Sequence, residues 1–144
     1  MSIDFKNIAE RFEKMGTGGR AELRRCARPE DVALIPAFYR LFPGIRTDVR
    51  HQRIAYYLPF VKHSEGSTSL GMQLAKAKIS EKRLFQVLRS QSPNDIIQLR
   101  RLVQQAEPRL DWQQFGQILF FWNDEKKRRL LEDYFMYQPT NDKE

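Results

Sequence analysis

Apolar side chains recur along this chain at intervals of three and four positions. The clearest case places Phe115, Ile118, Leu119 and Trp122 on one side of a helix, because an α-helix repeats about every 3.6 residues. No segment alternates apolar and polar residues for long enough to predict a strand. The sequence therefore predicts an all-α fold.

Capping residues and prolines divide the chain into about seven to nine short helices. Asp4 and Asp111 occupy positions typical of N-caps. Ser92, Pro93 and Asp95 together predict a strong helix start, with Ser92 as the N-cap and Pro93 at the first helical position. We therefore expect a bundle of short helices joined by tight turns.

Two glycine-containing segments predict interruptions of this bundle. The run Gly16–Gly19 is expected to be a loop, and the polar segment His63–Thr68 is expected to be a hinge or a mobile loop. A hinge there would give an N-terminal helical lobe over 1–65 and a C-terminal helical lobe over 66–144, although a single compact subunit stays open. The last residues, Gln138–Glu144, read as a frayed tail.

The chain lacks the residues that common catalytic and metal sites require. It has one cysteine, Cys26, and two histidines, His51 and His63, none close to another in sequence, whereas a zinc site uses about four ligands at short spacings. The helical position of Cys26 favours a buried thiol over a nucleophile. Neither glycine-rich phosphate-binding motif, GxxxxGK[ST] nor GxGxxG, occurs. We therefore expect no enzyme, no cofactor and no metal.

The N-terminal sequence has no apolar signal core, and no stretch approaches the roughly 20 apolar residues that span a bilayer. The interpretation is a cytoplasmic protein with no membrane partner.

Positive charge is the feature that points to a partner. The formal net charge is +7, and from Lys76 to Arg101 seven basic side chains stand against two acidic ones. The segment from Ser80 separates an apolar side from a basic side, which is what a helix lying on a polyanion needs. Further basic clusters lie at residues 20–28 and 126–129.

Each basic cluster has an ordinary alternative, a solvated helix face whose charges pair with nearby acids. For Lys126–Arg129 the two interpretations are balanced, because Glu132 and Asp133 lie within helical reach. For Arg100 and Arg101, which have no acid following them closely, binding is favoured. The aromatic residues lie on apolar stripes, so phosphate contacts rather than base reading are expected.

Three other functions stay open on these residues. A helical scaffold or adaptor could use its basic faces to dock acidic protein partners. A regulator that binds duplex DNA would need a recognition helix, which the sequence does not place. An enzyme is the weakest alternative, for want of catalytic residues.

Seven segments occur in an order that is familiar from one protein family. They are Ile35–Leu41, Arg50–Gln52, Ser69–Gly71 with Leu74–Ala75, Ile79–Arg89, Gln98–Leu102, Ala106–Pro108 with Leu110–Trp112, and Leu130–Asp133. On these segments the chain resembles the CasB family, the small subunit of the type I-E CRISPR surveillance complex called Cascade, from about Arg20 to Phe135.

The resemblance implies an elongated, non-catalytic helical subunit with two lobes. It implies contacts with the crRNA and the target DNA, including its displaced strand, with the backbone and large subunits of the complex, and with a second copy of itself. Together with the charge pattern it gives these expected nucleic-acid-binding residues: Arg24, Arg25, Arg50, Lys82, Arg83, Arg89, Arg100, Arg101, Lys127 and Arg128.

Two departures from the family pattern limit what can be transferred. Lys82 stands where the family suggests arginine, and lysine keeps the charge but loses bidentate geometry. The segment from Arg53 to Ser69 is short for the family, so loop contacts there are not transferred.

Overall fold

The computed structural model describes residues 3–137, and within them helices dominate, which confirms the all-α prediction. The α-helices are α1 (Phe5–Lys14), α2 (Thr17–Arg24), α3 (Pro36–Leu41), α4 (Val49–Tyr57), α5 (Leu70–Lys76), α6 (Glu81–Arg89), α7 (Asn94–Ala106), α8 (Trp112–Phe120) and α9 (Asp124–Met136). Two 3-10 helices (Pro29–Leu34 and Leu58–Phe60) and two short strands, β1 (Lys62–His63) and β2 (Arg109–Leu110), complete the described elements. The predicted tail, residues 138–144, lies outside them.

Side-chain caps fix most helix starts, as the sequence predicts. Asp4 accepts a hydrogen bond from the N–H of Asn7, and Asp111 accepts one from the N–H of Gln113. Each cap satisfies a backbone donor that the first turn leaves without an intrahelical partner. The caps on α4, α5, α6 and α9 are Asp48, Ser69, Ser80 and Asn123.

Two helix starts differ from the sequence prediction. The run Gly16–Gly19 is not a loop, because α2 begins at Thr17 and contains the following glycines. At the other site α7 begins at Asn94, so Pro93 rather than Ser92 is the N-cap. The hydroxyl of Ser92 donates instead to Asp95 Oδ1, whose carboxylate also accepts the N–H of Ile96.

Helices from both halves of the chain share one hydrophobic core. The N-terminal α1 packs on α8, and α4 packs on the same helix. Tyr57 on α4 is fully buried and donates its hydroxyl hydrogen to the carbonyl of Ile96 on α7. The predicted lobes 1–65 and 66–144 stay a prediction, and these contacts cross their boundary.

Close backbone contact between α5 and α9 depends on one glycine. A Cβ built on Gly71 would overlap the carbonyl oxygen of Leu130 and lie 2.7 Å from the Cβ of Asp133. Because real Cβ atoms do not approach that closely, only glycine lets the two helices pack at this distance. Gly71 belongs to one of the segments on which the family resemblance is based.

The loop His63–Thr68 is tied to its surroundings at both ends. His63 Nδ1 accepts the N–H of Trp112, and Glu65 forms an ion pair of 2.9 Å with Lys6 on α1. The N–H of Gly66 donates to Asp111, the N-cap of α8. The loop therefore connects α1 to the start of α8. None of the helices over residues 3–137 is long and apolar enough to cross a membrane.

Candidate nucleic-acid interface

Arg100 is the most enclosed of the predicted binding residues. Its side chain reaches inward from α7, only 8% of the residue is exposed, and Cζ lies 3.7 Å from the centroid of the Tyr56 ring. Nη2 donates to the carbonyl of Cys26 at 2.7 Å and Nη1 to that of Tyr56 at 3.3 Å. Burial lowers the pKa of this guanidinium, but arginine keeps its charge in proteins.

These contacts differ from the exposed, phosphate-facing position that the sequence analysis expects for Arg100. The charge is satisfied inside the protein by two carbonyl groups and an aromatic face, as a buried cation requires. Arg100 therefore joins α7 to α4 and to the end of α2.

Arg24 lies next to this buried cation. Its Cζ is 4.5 Å from the centroid of the Phe60 ring, and that of Arg100 is 4.7 Å from the same centroid. Nη1 of Arg24 donates to the carbonyl of Pro59 at 3.1 Å, while the side chain stays exposed. Arg25 is exposed one residue further along. The structure thus brings Arg24, Arg25 and Arg100 together.

Arg83 reaches from α6 to a residue of α7 near Arg101. Its Nη1 donates to Gln105 Oε1 at 2.7 Å. Gln105 follows the exposed Arg101 by four positions, so the two lie on the same face of α7. The packing of α6 on α7 therefore places the Arg83 guanidinium at an amide one helical turn from Arg101.

The other two predicted binding residues of α6 are exposed at the surface. Lys82 is exposed, and Arg89 holds its Cζ 5.4 Å from the centroid of the Phe85 ring. Phe85 is half-buried and packs against Phe135 of α9. The aromatic ring on α6 therefore orients Arg89 at the surface.

Lys127 is engaged in an ion pair that the sequence analysis does not anticipate. Its Nζ lies 2.8 Å from Asp95 Oδ2, whereas Asp133, one of the two acids within reach on the same helix, pairs with Arg129 at 3.8 Å. Asp95 is 1% exposed and also accepts the indole N–H of Trp122 at 2.9 Å. Lys127 thus links α9 to the start of α7.

Burial of the Asp95 carboxyl opposes its ionisation. The hydrogen bonds from Lys127 and Trp122, together with the charge of Lys127, outweigh that effect and lower the pKa of Asp95. The neighbouring Arg128 is exposed, so of these two predicted residues it is the accessible one.

Arg50 lies apart on α4 and is paired with the N-cap of its own helix. Nη2 of Arg50 lies 2.7 Å from Asp48 Oδ2, and the guanidinium carbon is 4.8 Å from the centroid of the Phe120 ring. Hydrogen bonds from Arg50 hold the pKa of the Asp48 carboxyl well below its usual range. The charge of Arg50 is therefore partly neutralised in this structure.

Two basic residues outside the predicted set, Lys62 and Arg109, line the same groove as Arg24. The parallel pair of β1 and β2 places Lys62 opposite Arg109, and both side chains are exposed. Two-residue strands carry no periodic signal, so the sequence gives no indication that these cations meet. Arg53, also not anticipated, donates to the carbonyls of Leu119 and Phe120 at the end of α8.

Within residues 3–137, no group of three or more His, Cys, Asp and Glu residues is arranged to hold a metal ion. Cys26 is buried, as predicted, although it lies two residues beyond the end of α2, and burial raises the pKa of its thiol. A thiol with a raised pKa is a poor nucleophile, because the thiolate is the reactive form. The cationic surface is therefore the feature of this chain that most favours a ligand.

Comparisons of this chain with protein families, with a characterised relative and with a solved structure give the same result. The family described as CRISPR-associated protein Cse2 matches residues 19–135. The CRISPR system Cascade subunit CasB of Escherichia coli (strain K12) is 35% identical over 155 aligned positions, which cover 96% of this chain and 97% of that protein. A chain in the crystal structure of E. coli Cascade bound to a PAM-containing dsDNA target has a TM-score of 0.87 at 33% identity, covering 96% of this chain and 100% of that one. The resemblance to CasB is thereby confirmed, and this chain belongs to the CRISPR-associated Cse2 family.

Proposed function

We propose that this chain is the non-catalytic small subunit of a type I-E Cascade complex and that it binds nucleic acid through phosphates. The observation that carries the proposal is a set of exposed arginines on three helices, Arg24 on α2, Arg83 on α6 and Arg101 on α7, of which Arg83 is hydrogen-bonded to Gln105 on the helix of Arg101. Guanidiniums on separate elements can contact successive phosphates of one backbone, and each contact releases counterions. The match to a chain of Cascade bound to a DNA target supports this assignment.

In the complex, these cations stabilise the R-loop. Pairing between crRNA and target DNA carries sequence specificity, so a subunit that contacts phosphates needs no base reading. Positive charge along the displaced strand reduces the tendency of that strand to pair again with its complement. The partners of the proposal are the crRNA, the displaced DNA strand, the backbone and large subunits, and a second copy of this chain.

Binding of the purified protein to single-stranded DNA, duplex DNA and RNA of unrelated sequences, across a salt series, tests the proposal. We expect affinity that does not depend on sequence and a linear fall of log K with log salt concentration. Affinity that differs strongly between unrelated sequences, or that ignores salt, would contradict phosphate binding.

A scaffold whose basic faces dock protein partners is the second candidate, and one observation favours contacts with protein. Leu34 is 85% exposed, Ile45 57% and Val49 61%. Clusters of large apolar side chains on a surface are typical of protein contacts, whereas single exposed ones are ordinary. An assembled complex that keeps full DNA affinity when Arg24, Arg83 and Arg101 are all replaced by glutamine would favour this second function.

A further inference from the structure

A groove of about 370 Å³ lies beside Arg24. It is bounded by the end of α2, the segment that follows α4, and the segment that joins α7 to β2. Its volume is within the range of small-ligand sites, roughly 300–1,000 Å³. The polar and aromatic side chains that line it are Arg24, Phe60, Lys62, Gln104, Glu107 and Arg109.

Arg24 is held in one orientation at the wall of this groove. Its hydrogen bond to the carbonyl of Pro59 and its position over the ring of Phe60 fix the guanidinium plane. Arginine has five N–H donors, so one bond to a carbonyl leaves most of them available to a ligand. A guanidinium already ordered in the free protein loses less conformational entropy when it binds a phosphate.

The charge of the groove favours an anion. It has three cations, Arg24, Lys62 and Arg109, and one carboxylate, Glu107. None of these three cations takes part in an ion pair within the described part of the chain. The register of β1 with β2 keeps Lys62 and Arg109 opposite each other, so their charges add at the rim.

We propose that this groove binds the sugar–phosphate backbone of single-stranded nucleic acid, a site that deepens the proposed function and rests on it. Arg24, Lys62 and Arg109 contact phosphates, and the half-buried ring of Phe60 contacts a sugar or a base. A narrow cationic groove with an aromatic side chain is the arrangement by which proteins hold single strands without sequence preference. A groove of this size has room for about one nucleotide and not for a duplex.

The test uses the full chain with Lys62→Glu and Arg109→Glu combined. Neither residue belongs to the set of cations expected from the sequence, and both side chains are exposed, so the fold should persist. The matched control combines Lys14→Glu with Arg46→Glu, two exposed cations outside the groove, and changes the net charge equally. Fluorescence anisotropy of a labelled oligothymidylate of about 20 nucleotides, in a salt series, measures affinity.

We expect the groove variant to bind at least about tenfold more weakly than the control and the slope of log K against log salt to fall by about 1.4, since each phosphate contact of a single strand contributes about 0.7. Equal affinity and slope for the two variants, with the wild-type protein still binding, would overturn the groove and leave the proposed function standing. Failure of the wild-type protein to bind any nucleic acid would overturn both.

The affinities of the groove variant and of the control are also measured for duplex DNA and for single-stranded RNA. A loss confined to single strands supports the groove, and an equal loss for DNA and RNA shows that the shared backbone is recognised rather than the sugar. A loss for duplex DNA as large as that for single strands would overturn the single-strand assignment.

Discussion

The guanidinium of Arg100 lies on the face of the Tyr56 ring, with Cζ 3.7 Å from the ring centroid. The next residue, Arg101, is exposed on the same helix. Two identical side chains that are adjacent in the sequence therefore have opposite environments, one inside the protein and one at its surface. We therefore expect Arg100 to contribute to the stability of the fold and Arg101 to contribute to binding.

Replacing each of these arginines by alanine should have very different effects on the free energy of unfolding. Arg100→Ala removes two charge-assisted hydrogen bonds and two cation–π contacts, with Tyr56 and Phe60, so we expect the free energy of unfolding to fall by about 2–4 kcal/mol. Arg101→Ala should change it by less than about 0.5 kcal/mol. Urea denaturation followed by circular dichroism measures both values.

The affinity of the same two variants for single-stranded DNA is then measured across a salt series. Arg101→Ala should reduce the salt slope by about 0.7, the contribution of one single-strand phosphate contact. Unchanged affinity and slope for Arg101→Ala would remove that residue from the interface.

The buried ion pair of Asp95 with Lys127 predicts a dependence of stability on pH. The pKa of Asp95 is lower in the folded state than its ordinary value of about 3.9, so its contribution is present above that pH and is lost as the pH falls through the folded pKa. Lys127→Met at neutral pH should cost about 3 kcal/mol, because it leaves a buried carboxylate unpaired.

Adding Asp95→Asn to Lys127→Met tests the pairing directly. We expect the double variant to be less destabilised than the sum of the two single variants by about 1–3 kcal/mol, measured by urea titration with tryptophan fluorescence. Simple additivity of the two single costs would show that Lys127 and Asp95 are not coupled.

Asp48 pairs with Arg50, one of the residues expected to bind nucleic acid. Asp48→Asn keeps an N-cap on α4, because asparagine caps as well as aspartate, while it removes the charge that neutralises Arg50. If Arg50 contacts phosphate, affinity for single-stranded DNA should rise about two- to threefold, as expected for a charge at the rim of an interface. Glu65→Gln, which releases Lys6 in the same way, is the control and should have no such effect.

Glu107 has a backbone conformation that favours glycine. Its φ is 49°, in the left-handed region at the end of α7, where its N–H donates to the carbonyl of Val103. Glu107→Gly should raise the free energy of unfolding by about 1 kcal/mol because it relieves the contact of Cβ with the backbone. Glu107→Gln removes only the charge and should leave thermal stability unchanged, a comparison that calorimetry makes directly.

Local features of the fold could be predicted from the sequence, whereas the partners of individual charges could not. The caps Asp4 and Asp111 were predicted because a cap depends on residues within one turn. The position of Arg100 also had a local signal, since it falls four residues after Ile96 and three before Val103, on the apolar side of α7. Its positive charge favours a surface position instead, so charge and spacing give conflicting predictions for this residue.

The partner of Lys127 had no such signal. Asp95 lies on a different helix, and only the packing of α7 near the junction of α8 and α9 brings the two together. The same holds for the meeting of Lys62 with Arg109, which depends on a strand pair too short to show a pattern. The roles of the ten expected binding residues stay predictions until the titrations above are made.

The packing of α1 on α8 has a consequence for how the chain is made. The backbone N–H of Lys6 donates to Gln113 Oε1, a partner 107 positions further along. A ribosome adds about 5–20 residues per second, so the N-terminal helix emerges roughly 5–20 s before the helix that covers it. During that interval Phe5, Ile8 and Phe12, buried in the finished protein, lack this partner. The contact of the first helix with α8 therefore forms only after most of the chain has been synthesised, and until then α1 has α3 as its earlier partner.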